Sequence, residues 1–330
     1  MVRNNHFTLR LGKHYTQGMF RAPIRIGTRG SALARAQAAE VRKRLIAAHG
    51  TLAAPQAIEI RIIQTTGDRI LDRPLAEVGG KGLFTKEIEE ALLADEIDLA
   101  VHSMKDVPTW CPDGLAIVGC LPREDPRDAF LSCRYSTFED LPQGATLATS
   151  SLRRQAQALS LRPDLRVVPI RGNVGTRLRK LEAGEADAML LAVAGLKRLD
   201  LEDRVTAVLA PEVFLPAVAQ GAIGIECRAE DGGLRERLDP IFDAGTGVRV
   251  AAERAALAVL DGSCQTPIAA LAEFEDETTL FLRVMIALPD GSMRFDVERR
   301  GPIVDAEKMG RDAGQELRDR AGPEFFAKLG

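Results

Sequence analysis

Short apolar runs alternate with longer stretches of helical spacing along the first two thirds of the chain. Ile24–Gly27 reads as a buried strand. The segment after it sets Leu33, Ala36, Val41 and Leu45 on one helical face behind Ser31, a favoured N-cap residue. Ile58–Thr65 reads as a second strand. A helix running to about Ala94 is predicted with Thr85 as its cap and Glu87 and Glu89 in its first turns, followed by a short buried strand, Leu99–Ser103. The alternation breaks at Leu121–Pro126 and then resumes. Strands are predicted at Thr146–Thr149, Val167–Ile170 and Ala188–Val193, with helices at Ser151–Leu161 and Val174–Ala183. A second break falls at Leu215–Gly221, and Ile223–Cys227 looks like one more buried strand. Strand–helix alternation of this kind predicts α/β sheets, here two lobes joined by two crossings.

The pattern changes after Ala244-Gly245-Thr246-Gly247. A helix at Val248–Leu260 precedes three strand-like runs, Ile268–Phe274, Leu280–Leu288 and Arg294–Arg300, and a last helix follows Asp305. This is a small α+β unit with a three-stranded antiparallel sheet. At 330 residues the chain is long enough for two or three cores. Its 45% hydrophobic content excludes global disorder. A net charge of −3 and a single Trp110 argue against nucleic-acid binding. No apolar run approaches the roughly 20 residues that a membrane span needs. The five cysteines (Cys111, Cys120, Cys133, Cys227 and Cys264) form no CxxC pair, which fits a reducing cytoplasm without a metal site. Residues 1–23 read as a disordered, basic N-terminal extension.

Cations recur where the helix dipole disfavours them. Arg29 precedes Ser31, Arg153 and Arg154 follow Ser151, and Arg171 and Arg177 flank Gly172-Asn173-Val174-Gly175. Any one of these is ordinarily a solvated arginine. As a set, at strand-to-helix handovers rich in free N–H groups, they predict a polyanionic ligand held from both lobes. Gly79-Gly80-Lys81-Gly82 lacks the GxxxxGK[ST] pattern of a phosphate loop, so it is a Gly-rich segment with one cation.

Asp106, in His102-Ser103-Met104-Lys105-Asp106-Val107-Pro108, falls just beyond the carboxyl end of the Leu99 strand, where α/β sites form. An isolated aspartate there is more often a turn residue. His102 reads as a packed histidine. Cys264 lies in a loop, Asp261-Gly262-Ser263-Cys264-Gln265, with no Cys/His hydrolase pattern around it.

Nine stretches in order resemble the porphobilinogen deaminase family. They are Gly27–Ala34, Gly79–Phe84, His102–Pro108, Arg123–Asp128, Thr149–Gln155, Arg171–Leu178, Ala192–Arg198, Pro216–Gly221 and Gly262–Ile268. Each is weak alone and the ordered set is specific. Ser263 and Thr266 depart from the Gly and Val common in the family. The resemblance implies an α/β fold with two lobes like those of periplasmic binding proteins around a cleft, plus the small C-terminal domain. It gives domain 1 as 24–121 with 222–240, domain 2 as 122–221 and domain 3 as 241–330. It implies a transferase that condenses four porphobilinogen molecules head to tail, losing ammonia from each, to give hydroxymethylbilane. A dipyrromethane cofactor is expected on Cys264 through a thioether. Lys105, Ser151, Arg153, Arg154, Arg171 and Arg177 are expected to bind that cofactor. Arg29, Ser31, Lys81, Phe84, Arg177 and Arg198 are expected to bind substrate. Asp106 is expected to stabilise the azafulvene cation left when ammonia departs, and Gln220 to be structural. The implied enzyme is a cytoplasmic monomer whose partners are porphobilinogen and the growing pyrrole chain, without nucleic acid or membrane. The rivals are a non-enzymatic two-lobed binding protein for a small polyanion, which needs neither Asp106 nor Cys264, and a nucleotide-dependent transferase.

Overall fold

The computed structural model describes residues 23–69, 82–260 and 266–329. The first strand, β1 (Ile24–Arg29), runs two residues past the expected Gly27 and so carries Arg29 at its carboxyl end. Ser31 caps α1 (Ala32–Ala48), its hydroxyl accepting from the Ala34 N–H at 3.2 Å. There follow β2 (Ile58–Ile63), the one-turn helix α2 (Thr66–Arg69), α3 (Lys86–Leu93), β3 (Leu99–Ser103) and β4 (Leu115–Cys120). Thr85 does not cap α3 as expected. Its φ of −118° and ψ of −31° are not the extended backbone a cap needs, and its side chain makes no cap hydrogen bond.

The second lobe holds β5 (Asp128–Leu131), β6 (Thr146–Ala148), α4 (Leu152–Leu161), β7 (Arg166–Val168), α5 (Val174–Glu182), β8 (Ala188–Ala192), α6 (Val193–Lys197) and β9 (Ala207–Val208). The chain then enters β10 (Ile223–Arg228) and α7 (Gly232–Leu238). The helix α8 (Ala244–Val259) begins four residues before the expected Val248. Asp243 caps it, accepting from the Thr246 N–H at 2.6 Å, and this carries Gly245 and Gly247 into the first turn. β11 (Ile268–Phe274), β12 (Thr279–Ala287), β13 (Arg294–Pro302) and α9 (Ala306–Ala327) complete the chain.

Two five-stranded sheets and one three-stranded sheet result, with orders β2-β1-β3-β10-β4, β7-β6-β8-β5-β9 and β11-β12-β13. In the first, β1 is parallel to β2 and β3, while β10 runs antiparallel to β3 and β4. In the second, β6 is parallel to β7 and β8, while β5 runs antiparallel to β8 and β9. Each lobe thus receives its antiparallel strand directly from a crossing. β10 lies within the first sheet although it follows the whole second lobe in sequence. All strands of the third sheet are antiparallel.

The two crossings touch. The Glu124 N–H donates to the Gly221 carbonyl at 3.2 Å. Gly221 has φ +89°, and a Cβ there would lie 2.3 Å from the Glu124 carbonyl oxygen, so only glycine fits. The third domain is fastened at the same place. Buried Glu253 of α8 accepts from Arg123 Nη1 and Nη2 at 2.6 and 3.1 Å, from the Ala219 N–H at 2.6 Å and from the Ala272 N–H at 2.9 Å. On the other side, Ala156 of α4 and Leu215 pack with Ala269, Leu271, Met285 and Ala287 of the third sheet. Among the described residues no helix is long and apolar enough to cross a membrane.

Candidate active site

The parallel strands of both lobes deliver the expected residues at their carboxyl ends, as open α/β sheets do. β1 ends in Arg29. β3 leads through the short turn Met104–Asp106 to Lys105 and Asp106. β6 leads to Ser151, Arg153 and Arg154 at the start of α4, and β7 to Arg171 and the Asn173-capped α5 bearing Arg177. Lys81 and Cys264 lie outside the described residues.

On the first-lobe side, Arg29, Ser31, Phe84, Ser103, His102 and Asp106 line one recess. Arg29 Nη1 lies 4.0 Å from Asp106 Oδ2. Its Nε and Nη2 donate to Asp68 Oδ1 at 3.2 and 2.5 Å, and its guanidinium carbon sits 3.9 Å from the centre of the Phe84 ring. Burial works against ionisation of Asp68, but the hydrogen bonds from Arg29 and Thr65 outweigh it and hold its carboxyl below the usual range. Asp68 was not among the expected residues. Nothing in its local sequence announces the pairing, which arises because β2 lies beside β1. In the wall of the recess, buried His102 pairs through Nε2 with Glu226 Oε2 at 2.9 Å. His102 therefore has the packed, satisfied environment anticipated for it.

On the second-lobe side the structure adds an unexpected residue, Asp128. It is fully buried and opens β5. Arg154 donates to its Oδ1 through Nε and Nη2 at 3.1 and 2.7 Å, and Arg153 Nη1 lies 2.8 Å from its Oδ2. Arg153 Nη1 also donates to the Leu215 carbonyl at 2.7 Å, while its buried Nε has no hydrogen-bond partner. Burial pushes the Asp128 carboxyl up, and the charges of Arg153 and Arg154 reverse this and hold it well below the carboxylate range. Asp128 belongs to the Arg123–Asp128 stretch, but an aspartate opening a strand carries no signal of a buried ion triad.

Gln220 joins this centre to the first lobe. Its Nε2 donates to Asp128 Oδ1 at 2.9 Å and to the Pro126 carbonyl at 2.7 Å, and its Oε1 accepts from Lys105 Nζ at 3.4 Å. Burial pushes the Lys105 ammonium down to about 8, with Arg154 and Arg153 adding to the shift and Asp106 and Asp128 opposing it. Arg177 is lowered to about 10 by burial and by repulsion from Arg154 and Arg171. Its Nε donates to the Gly172 carbonyl at 2.8 Å. Arg198 makes a different set of contacts. It reaches the Gly221 carbonyl at 2.8 Å and Glu40 Oε2 at 3.5 Å, tying the second lobe to α1. Ser151 caps α4, its hydroxyl accepting from the Arg154 N–H at 3.4 Å.

Lys105, Arg153, Arg154, Arg171 and Arg177 therefore form an array whose members repel one another, with Asp106 and Asp128 opposing that repulsion at Lys105. A polycarboxylate relieves that repulsion, so these residues fit a cofactor that carries several carboxylates. The fold and the site define a two-lobed α/β protein with clustered cations where its lobes meet and the carboxylate of Asp106 in the recess beside Arg29.

Comparison with known proteins narrows that class. Residues 24–236 match the family model "Porphobilinogen deaminase, dipyromethane cofactor binding domain", and residues 248–319 match "Porphobilinogen deaminase, C-terminal domain". The porphobilinogen deaminase of Paracoccus denitrificans is 58% identical over 304 residues, covering 92% of this chain and 96% of its own. The chloroplastic porphobilinogen deaminase of Oryza sativa is 54% identical, covering 93% and 86%. Among solved structures, the periplasmic aliphatic sulphonate binding protein SsuA from Escherichia coli aligns at TM-score 0.39 and 18% identity over 72% of this chain and 70% of its own. The chain belongs to the porphobilinogen deaminase family, the transferases that join porphobilinogen units into a linear tetrapyrrole on a dipyrromethane cofactor.

Proposed function

We propose that Asp106 carries the chemistry of this polymerisation and that Cys264 holds the dipyrromethane through a thioether. The observation that carries the first assignment is the position of Asp106 at the end of β3, lining the recess with Arg29, Ser31 and Phe84. The second rests on the match of Gly262–Ile268 to the family pattern. A thioether does not hydrolyse readily, so Cys264 serves as an attachment point and needs no flanking base. When bound, the cofactor supplies the free pyrrole carbon to which the first substrate unit is joined.

The residues of the chain divide the remaining work. The carboxylate of Asp106 faces the substrate ring that loses ammonia and compensates the positive charge left on it. It then accepts the proton shed as the new carbon–carbon bond forms. Arg29 and Ser31, with Phe84 behind the guanidinium, bind the incoming substrate; Lys81 and Arg198 belong to the same substrate set. Lys105, Ser151, Arg153, Arg154, Arg171 and Arg177 hold the acetate and propionate groups of the cofactor, and Arg177 also meets substrate. Charge-assisted hydrogen bonds of this kind contribute about 1.5–3 kcal/mol each. The repulsion that Arg177 feels from Arg154 and Arg171 supports this division, because bound carboxylates relieve it.

The domain division 24–121 with 222–240, 122–221 and 241–330 follows from the same reading, supported by the return of the chain to the first sheet at β10. A monomer in the cytoplasm, without nucleic acid or membrane as partner, is proposed from composition and cysteine usage. Burial pushes the thiols of Cys120 and Cys227 up to about 12, which makes them inert. The experiment is the intact mass of purified protein beside Cys264→Ser and Asp106→Ala. An added mass equal to two pyrrole rings is expected in the wild type and in Asp106→Ala, and is expected to be missing from Cys264→Ser. Asp106→Ala is expected to fold, carry the cofactor and fail to elongate it. Near wild-type turnover by that variant would remove Asp106 from the chemistry.

A further inference from the structure

Asp128 and Gln220 have no part in the chemistry just described, yet both are buried where the two crossings meet. We propose that Asp128 and Gln220 form one relay that positions Lys105 of the first lobe and Arg153 and Arg154 of the second as a single carboxylate-binding unit. The inference rests on the reading that these three cations hold the cofactor.

Three observations carry it. First, Asp128 meets both arginines at once, Arg154 through two hydrogen bonds to Oδ1 and Arg153 at Oδ2. Two guanidinium groups on adjacent residues of a helix repel each other, and one shared carboxylate fixes the orientation of both. Second, the amide of Gln220 is used at both ends. It donates to Asp128 and to the Pro126 carbonyl and accepts from Lys105. Glutamate would set a second carboxylate against Asp128, and an apolar side chain would leave Asp128 short of a donor. The site therefore requires a group that donates and accepts in opposite directions. Third, the relay crosses between lobes. Lys105 follows β3 of the first sheet, Asp128 opens β5 of the second, and Gln220 lies in the crossing back. The carbonyl of Gln220 also accepts from Arg123 Nε at 2.9 Å, and Arg123 is held by Glu253 of the third domain. The spacing between Lys105 and the arginine pair is thus set where the first lobe, the crossing and, through Arg123 and Glu253, the third domain are joined. Asp128 and Gln220 are positioning residues that act through the cations.

A double-mutant cycle tests this. The cofactor-free full-length chain is incubated with porphobilinogen, and dipyrromethane loading is followed by intact mass for wild type, Gln220→Met, Lys105→Met and the double variant. Melting temperatures are measured alongside. Losing the amide bridge is expected to slow loading roughly five- to tenfold, the equivalent of one hydrogen bond of about 1–1.4 kcal/mol. In the Lys105→Met background the same change is expected to cost little more, because the relay has lost its terminus. Loading of Gln220→Met at the wild-type rate overturns the relay. So does a loss that multiplies in full with that of Lys105→Met, which marks two independent packing defects. Should Gln220→Met fail to fold, Asp128→Asn gives the same cycle with the same criteria. Wild-type loading by Lys105→Met has a different meaning: it removes Lys105 from the cofactor site, and with it the reading on which the relay rests.

Discussion

Replacing Lys105 by methionine is expected to make the cofactor-free protein more stable while disabling it. The ammonium of Lys105 is buried near Arg153 and Arg154, and its pKa falls from the ordinary 10.5 to about 8. A change of that size corresponds to about 3 kcal/mol of penalty for carrying the charge in the folded state. Lys105 keeps part of its solvent contact, so about 2 kcal/mol is the realistic gain for Lys105→Met at pH 7. The sign follows from linkage. Above pH 10.5 the amine is neutral whether folded or unfolded, and wild type carries no penalty. As pH falls towards 8 the unfolded chain takes up a proton that the folded chain refuses, so stability is lost through that window, and the penalty is constant below it. Urea unfolding of both proteins at pH 7, 9 and 10 reads the difference directly. Lys105→Met is expected to lead at pH 7, with the gap narrowing towards pH 10. A variant less stable than wild type at pH 7, or a gap that does not change with pH, would refute the reasoning. In either case the ammonium would be well accommodated, and the argument that these cations repel one another would fail at its clearest member.

Other perturbations have equally specific outcomes. A Cβ on Gly67 would lie 2.2 Å from Phe84 Cε1 and 2.9 Å from the Leu83 carbonyl oxygen. Gly67→Ala should therefore destabilise by about 1–3 kcal/mol and raise KM for porphobilinogen as Phe84 leaves Arg29; steady-state kinetics with an unchanged KM would dissociate Phe84 from substrate binding. Glu253→Gln breaks the buried pair with Arg123 and should cost about 3–5 kcal/mol, read as a large drop in melting temperature, since that carboxylate fastens the third domain to Arg123 and Ala219 at the two crossings. Gly221→Ala forces a side chain into left-handed backbone against Glu124, and calorimetry should show destabilisation well beyond the usual surface value of about 0.5 kcal/mol.

Much of this protein was written in local sequence. The strand and helix periods of both lobes, the Ser31 cap and the three strands of the last sheet depend on residues within a few positions of one another, so one chain segment suffices to read them. The clustering of arginines at strand-to-helix handovers was legible for the same reason. Elements with weak local signals were missed or shifted. β4, β5 and the two-residue β9 have no clear period of their own and exist because a neighbouring strand completes their hydrogen bonds. Helix α8 starts earlier than its glycines suggest because Asp243 caps it.

Only the tertiary structure could decide which charges meet. Asp128 lies 26 residues from Arg154 in sequence, and Arg29 lies 39 from Asp68. No local pattern distinguishes these aspartates from solvated ones, because a buried ion pair is created by the burial and by the partner together. The return of the chain to the first sheet at β10 is likewise a matter of pairing across 120 residues, from Ser103 to Ile223. The sequence showed where the cations cluster. The fold determined which carboxylates hold them in place, since desolvation and Coulomb energy depend on distance in space and not on distance along the chain.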